Sequence, residues 1–207
     1  MAAIVKPRSY NSPTRRQQLA ATKLAVLVAA NGLMARRGYS ATTMEQIAAD
    51  AGVAVQTVYK HFGSKARIVT AIAEHARRDP RIAQHRKQLL NAKDAREQVR
   101  LLAQRARLYA ELGFSIVDVL PERTQNSDLA KALDPLIADV RRSHLEYARS
   151  LADKRALRTG VSVEQAADYI ALVSSPEMLR RMQRDLGWSF DHCERWMADA
   201  LMRLLLN

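Results

Sequence analysis

MEQIAADAGVAVQTVYKHF, residues 44–62, decides how this chain folds. Thr43 stands just before it and Gln46 three residues later, the pattern of a capping box that opens a helix. Met44, Ile47, Ala48 and Ala51 then share one face, and Gly52 breaks the helix. A second, short helix is expected over about 54–60. Ala48 is small enough for two helices to cross beside it, Gly52 turns the chain, and Val58 inserts the second helix into the core. This spacing is that of a helix-turn-helix, although any tight pair of helices can show it. With Val55 and Val58 facing inward, Gln56 and Thr57 lie on the outer face near the start of the second helix.

Working outward, a first helix is expected from Thr14 to Arg37. Leu19, Val26, Leu27, Ala30, Leu33 and Met34 form its apolar stripe, and Gly38 stands at its end. On the other side Gly63 resets the chain, and Ser64 caps a helix carrying Ile68, Val69 and Ile72. Residues 1–13 read as a flexible basic arm, 14–75 as the helix-turn-helix domain and 76–207 as a larger helical domain. The fold class expected is all-α: there are only seven Gly and six Pro, and no alternating strand pattern occurs.

The formal charge is +12. Residues 1–75 hold ten Lys and Arg against the three acids Glu45, Asp50 and Glu74, so the basic excess concentrates there. A polyanion, either nucleic acid or an anionic membrane surface, fits that balance, and so does a plain solvated face. The outward residues favour nucleic acid. Gln can bond adenine bidentately, and Thr can meet an acceptor or a thymine methyl. Tyr59, Lys60 and His61 follow on the side that would meet a sugar-phosphate backbone. Lys65 and Arg67 occupy the first turn of a helix, where the macrodipole disfavours cations by roughly 0.3–1 kcal/mol. A phosphate docked there would resolve the mismatch, as would simple exposure to water.

Residues 23–72 resemble the DNA-binding domain of the TetR (tetracycline repressor)/AcrR family of transcriptional regulators. The stretches AANGLMARRGYSATTMEQIAADAGV and VYKHFGSK carry the likeness. The resemblance implies that Thr43, Gln56, Thr57, Tyr59, Lys60, His61 and Lys65 meet double-stranded DNA. Three positions depart from the family pattern. Met34 replaces the usual Phe, and Ala54 replaces the usual Ser or Thr cap. Val55 stands where a polar residue is common. The basic arm, residues 6–16, reads equally well as a minor-groove arm and as a solubilising tail.

Past Pro80 the pattern stays helical. One long helix is expected to run from Val99 to Leu120 and end at Pro121. Asp134-Pro135 is expected to open another, carrying Leu136, Ile137, Val140, His144, Tyr147 and Leu151. Ser162, Ser175-Pro176 and Ser189 mark later starts, and Gly160 and Gly187 mark stops. Here the resemblance is weaker and rests on helix count and the ending GWSFDHCERW (187–196). It implies a small-molecule effector pocket among residues 95–157. Tyr109, Phe114, Val117, Leu133, Ile137 and Tyr147 are its candidate lining, with Arg105, Glu111, Asp118 or His144 as polar contacts. It also implies a homodimer through about 162–186 and 189–206, with Trp196, Met197, Leu201 and Leu204 as candidate contacts, and hence a near-palindromic operator. The apolar last turn, Met202–Leu206, argues for such burial; packing within its own domain is the alternative.

No catalytic, cofactor or metal constellation is expected. His61, His75, His85, His144 and His192 are scattered, and no glycine-rich phosphate loop occurs. Cys193 is the single cysteine, which suits a reducing cytoplasm and a buried position. LAVLVAA (24–30) after basic residues mimics a signal peptide, but it is short and continues in helical period. No stretch is expected to approach a membrane span. A ligand-responsive repressor is the reading that follows, with an activator, a ligand-blind regulator or a basic interaction module as alternatives.

Overall fold

The computed structural model describes residues 13–112 and 117–207, and among these described residues it has ten α-helices and no strand. The expected all-α class holds, while the arm (1–13) lies outside the described residues except for Pro13. In chain order the helices are α1 (Pro13–Arg37), α2 (Met44–Asp50), α3 (Val55–Phe62), α4 (Lys65–Arg77), α5 (Pro80–Asn91) and α6 (Ala95–Glu111). A 3₁₀ segment, Val117–Gln125, precedes α7 (Ser127–Asp153), α8 (Val163–Val173), α9 (Pro176–Leu186) and α10 (Phe190–Leu205). Nearly every start is capped by the side chain that the local sequence offers: Thr43, Ser64, Asp79, Asp94, Asn126, Ser162, Ser175 and Ser189 each accept a first-turn amide.

α1 to α4 form the first unit. Val26, Ala30, Ile47, Val58, Ile68 and Ile72 meet in its core. That core does not stop at residue 75, because Val119, Leu129 and Leu133 belong to it as well. The remaining helices wrap a second and a third core, with α7 along α8 and α10 along α6. Arg107 on α6 ties α10 down, bonding Asp191 at 2.5 Å and Glu194 at 3.3 Å.

Four expectations need correction. The single helix from Val99 to Leu120 is two elements: α6 ends at Glu111, and Pro121 sits inside the 3₁₀ segment. The apolar series continues past Glu111, so periodicity alone does not mark where α6 ends. Conversely, α7 begins at Ser127, eight residues before Pro135, with Asn126 as its cap. Asp134 pairs with Arg123 at 2.7 Å instead of capping. Proline inside a helix costs about 3 kcal/mol. Leu129 and Leu133, both fully buried in the preceding turns, return roughly 1.5–3 kcal/mol each. Third, Arg15–Arg37 is long and apolar enough, by length and composition, to cross a membrane. Its inward face, including Val26, Ala30 and Met34, is nevertheless buried in the first core. Fourth, Leu19 leaves the stripe and is exposed, since that core begins only at Val26.

Candidate nucleic-acid interface

The turn between α2 and α3 is built as the glycine spacing implied. Gly52 adopts φ +66°, the Val53 amide donates to Ala48 O at 3.0 Å, and the Gly52 amide donates to Ala49 O at 3.2 Å. That pair of bonds is a Schellman closure. Val58 and Phe62 anchor α3 inward. Gln56, Tyr59 and Lys60 are exposed, and Thr57 and His61 are half-buried. Ala54 makes no side-chain cap to α3. Thr43, also exposed, accepts the Gln46 amide at 3.2 Å, while its own amide donates to Gln46 Oε1 at 3.0 Å. Its hydroxyl proton remains available to a phosphate oxygen.

The other side of α2 is the loop Gly38–Thr42, and distant residues hold it. Glu122, on the 3₁₀ segment, accepts the Tyr39 amide at 2.5 Å and the Ser40 amide at 2.7 Å, and it also bonds the Ser40 hydroxyl. Lys65, the first residue of α4, donates to Tyr39 O at 2.5 Å and Thr42 O at 2.6 Å. Its ammonium also lies 4.2 Å from the Tyr39 ring centroid. Burial would raise the Glu122 carboxyl, but its bonds to Ser40 and Tyr39 and the Lys65 charge bring it below the usual range. Burial lowers the Lys65 ammonium, and Glu122 partly opposes that. Thr42, fully buried, donates its hydroxyl to Gly38 O at 2.8 Å. Gly38 is needed twice over. Its φ is +82°, and a Cβ there would stand 2.8 Å from Glu122 Oε1.

Lys65, with a longer bond to Ser40 O at 3.5 Å besides these two, therefore directs its ammonium at loop carbonyls, which changes the expectation that it is chiefly a phosphate ligand. Sequence reasoning missed Glu122 altogether, since nothing near it in the chain marks a carboxylate that reaches back to residues 39 and 40.

Behind α4 lies a cavity of about 1020 Å³. Tyr109, Ile137, Tyr147, Arg105 and His144 are among the residues that line it. Leu133 instead sits in the first core, and Glu111 pairs with Arg107. Phe114 and the side chains of Val117 and Asp118 lie outside the described residues. The wall also extends beyond 95–157: Ala73, Ala76 and Arg77 come from α4, and Ala167 and Ala171 come from α8. Leu120 of the 3₁₀ segment completes the side nearest Glu122.

Two expected dimer contacts are corrected. Met197 and Leu201 are 0% exposed within the single chain, so no partner can reach them. The last turn is buried internally too: Leu205 and Leu206 pack with Leu89, Val99 and Tyr147. Arg158 N pins that end by donating to Leu205 O at 2.7 Å. Trp196 remains exposed and Leu204 half-buried. Leu172 on α8 is 67% exposed.

A helix-turn-helix thus stands in front of a cavity-bearing helical body that shares its core. Residues 26–72 match the family model of bacterial regulatory proteins, tetR family. Over those residues the chain is similar to the DNA-binding domain of that family. It is 43% identical over 63 residues to the HTH-type transcriptional repressor Rv3405c of Mycobacterium tuberculosis, a match covering 30% of this chain and 32% of that protein. The likeness to curated relatives thus spans about a third of their length. Over nearly the whole chain the fold is shared with NalD of Pseudomonas aeruginosa, the secondary repressor of the MexAB-OprM multidrug efflux pump. That match has a TM-score of 0.72 and 22% identity, and it covers 92% of this chain and 98% of NalD. FadR of Bacillus subtilis in complex with stearoyl-CoA matches with a TM-score of 0.71 and 19% identity, over 86% of this chain and 96% of FadR.

Proposed function

We propose that this chain is a repressor that binds a near-palindromic operator as a homodimer and leaves it when a small molecule enters the cavity behind α4. One observation carries the reading. The two elements that hold the loop leading into α2, α4 through Lys65 and the 3₁₀ segment through Glu122, are also two walls of that cavity. A ligand that displaces either wall shifts the loop and, with it, the Thr43 end of the helix-turn-helix. In this reading Gln56 and Thr57 read base edges. Thr43, Tyr59, Lys60 and His61 contact the backbone, and Lys65 holds the frame in which they sit.

The dimer would form across the outer face of α8 and α10. These helices pack together, and Leu206 at the end of α10 bridges to Leu157 in the connection that leads into α8. Leu172 on α8 and Trp196 on α10 are the exposed large apolar side chains these two helices offer as anchors. Leu204 lies further along the same helix. Such a regulator works in the cytoplasm, beside its DNA.

The test is to incubate the purified protein with sheared DNA from its own source, recover bound fragments at about physiological salt and sequence them. Enrichment of a few near-palindromic sites is expected, and uniform recovery would overturn the operator reading. On an enriched site, Gln56→Ala should cost about 1–3 kcal/mol and relax preference at one base pair. Equal losses on enriched and random DNA would remove Gln56 from base reading.

A further inference from the structure

Five cations face the cavity (Arg77, Arg86, Lys87, Arg105 and Arg141), and among the described lining residues Glu177 is the only carboxylate. Three of the five are already paired with acids that stand outside the wall. Arg77 bonds Asp139 at 3.3 Å, Arg86 bonds Glu146 at 2.5 Å and Arg141 bonds Asp168 at 2.9 Å. Lys87 is exposed on α5 and meets water. Arg105 differs from all of them. It is half-buried on α6, its guanidinium carbon 5.1 Å from the Tyr109 ring centroid and 5.6 Å from that of Tyr147. Among the described residues it pairs with no carboxylate. Two aromatic faces orient the guanidinium and leave its in-plane N–H donors for something else.

The rest of the wall is mainly apolar, with Ile82, Leu90, Leu120, Leu136 and Ile137 contributed from three elements. His144 beside Arg105 supplies no counter-charge. Burial first, and then the charges of Arg105 and Arg141, brings its imidazole down to about 4, so it stays neutral. A neutral ligand filling this space would expel water from Arg105 and leave a desolvated cation without a partner. A cationic ligand would meet Arg105 and Arg141 at close range.

We propose that the cavity takes an amphipathic monoanion, an apolar body bearing one carboxylate, with the acid group seated on Arg105 between Tyr109 and Tyr147. The body would lie along Ile82, Leu136 and Ile137. A planar guanidinium beside two aromatic rings presents a fork that matches a carboxylate, which the Lys87 ammonium does not. This inference rests on the reading of the cavity as the effector site and names the chemistry of its occupant. The carboxylate is the shared feature, and its body is either an aliphatic chain or an aromatic ring system.

The experiment is calorimetric titration of the full chain with dodecanoate, 2-naphthoate and dodecanol, the last being the neutral control. At least one acid should bind roughly 10- to 100-fold more tightly than dodecanol, the span expected of a charge-assisted hydrogen bond. The better acid identifies the body. In Arg105→Gln that acid should fall to the affinity of dodecanol while dodecanol itself is unchanged. Arg105→Lys should retain part of the preference. An unaltered melting temperature in both variants shows that the fold is intact. Equal affinity of acids and alcohol in the unmodified protein, or a preference that survives in Arg105→Gln, overturns the proposal and leaves the cavity as effector site. Failure of all three probes to bind overturns both.

Discussion

α2 is flanked by two turns of the same backbone type that are held in opposite ways. On its far side Gly52 takes φ +66°, and the chain closes on itself through amides of the next residues and carbonyls of the same helix. On its near side Gly38 takes φ +82°, and the loop after it is held by Lys65, 23–26 residues away, and by Glu122, 82–83 residues away. The first turn would keep its shape in any chain that folds this helix pair. The second depends on two side chains whose own elements wall the cavity. A helix-turn-helix can thus be held by its own backbone on one side and by distant side chains on the other.

The two glycines offer the harshest way to break this comparison. Gly38→Ala should destabilise the protein by about 2–4 kcal/mol, through the left-handed backbone and through the Cβ that forces the Glu122 carboxylate off the Tyr39 and Ser40 amides. Gly52→Ala meets nothing within 4 Å and should pay only the backbone term, about 1–2 kcal/mol. Urea unfolding measures both, and equal costs would mean that the two turns are not held differently.

Glu122→Gln is the next in size. It should cost about 1–2 kcal/mol, because one carboxylate oxygen becomes an amide donor facing donors. The pH dependence sharpens this. The folded carboxyl lies below its ordinary value, so its contribution is complete above the unfolded pKa and is lost as pH falls through the folded one. The stability gap between the unmodified protein and Glu122→Gln should therefore narrow in acid, and a constant gap across acid unfolding curves would argue against an ionised latch. The smallest effects belong to the self-contained turns. Ser64→Ala should cost about 0.5–1 kcal/mol, the ordinary value of a lost cap, and should not alter that acid dependence.

What could be read in advance follows the same division. The caps at Thr43, Ser64, Ser162 and Ser189 and the turn at Gly52 are set by residues three to six positions apart, so the sequence displays them directly. Lys65 was conspicuous because a cation at a helix start opposes the macrodipole, and a phosphate was the expected remedy. The carbonyls of Tyr39 and Thr42 supply much the same electrostatic relief from within the chain. Met197 and Leu201 teach a related lesson. Periodicity places them on an inward stripe, but it does not say whether the core they enter belongs to their own chain or to a partner's. The mid-helix Pro135 misled because only the burial of Leu129 and Leu133 outweighs its cost. Glu122 carried no signal at all, since its partners are separated from it by most of the intervening fold.

Amide hydrogen exchange, compared between the unmodified protein and Glu122→Ala, tests most directly whether the reading unit is held by the second domain. The Tyr39 and Ser40 amides should exchange roughly 10- to 100-fold faster in the variant, while those of Gly52 and Val53 keep their protection. Unchanged protection at Tyr39 and Ser40, or an equal loss at all four amides, would contradict the coupling of the recognition unit to the cavity wall.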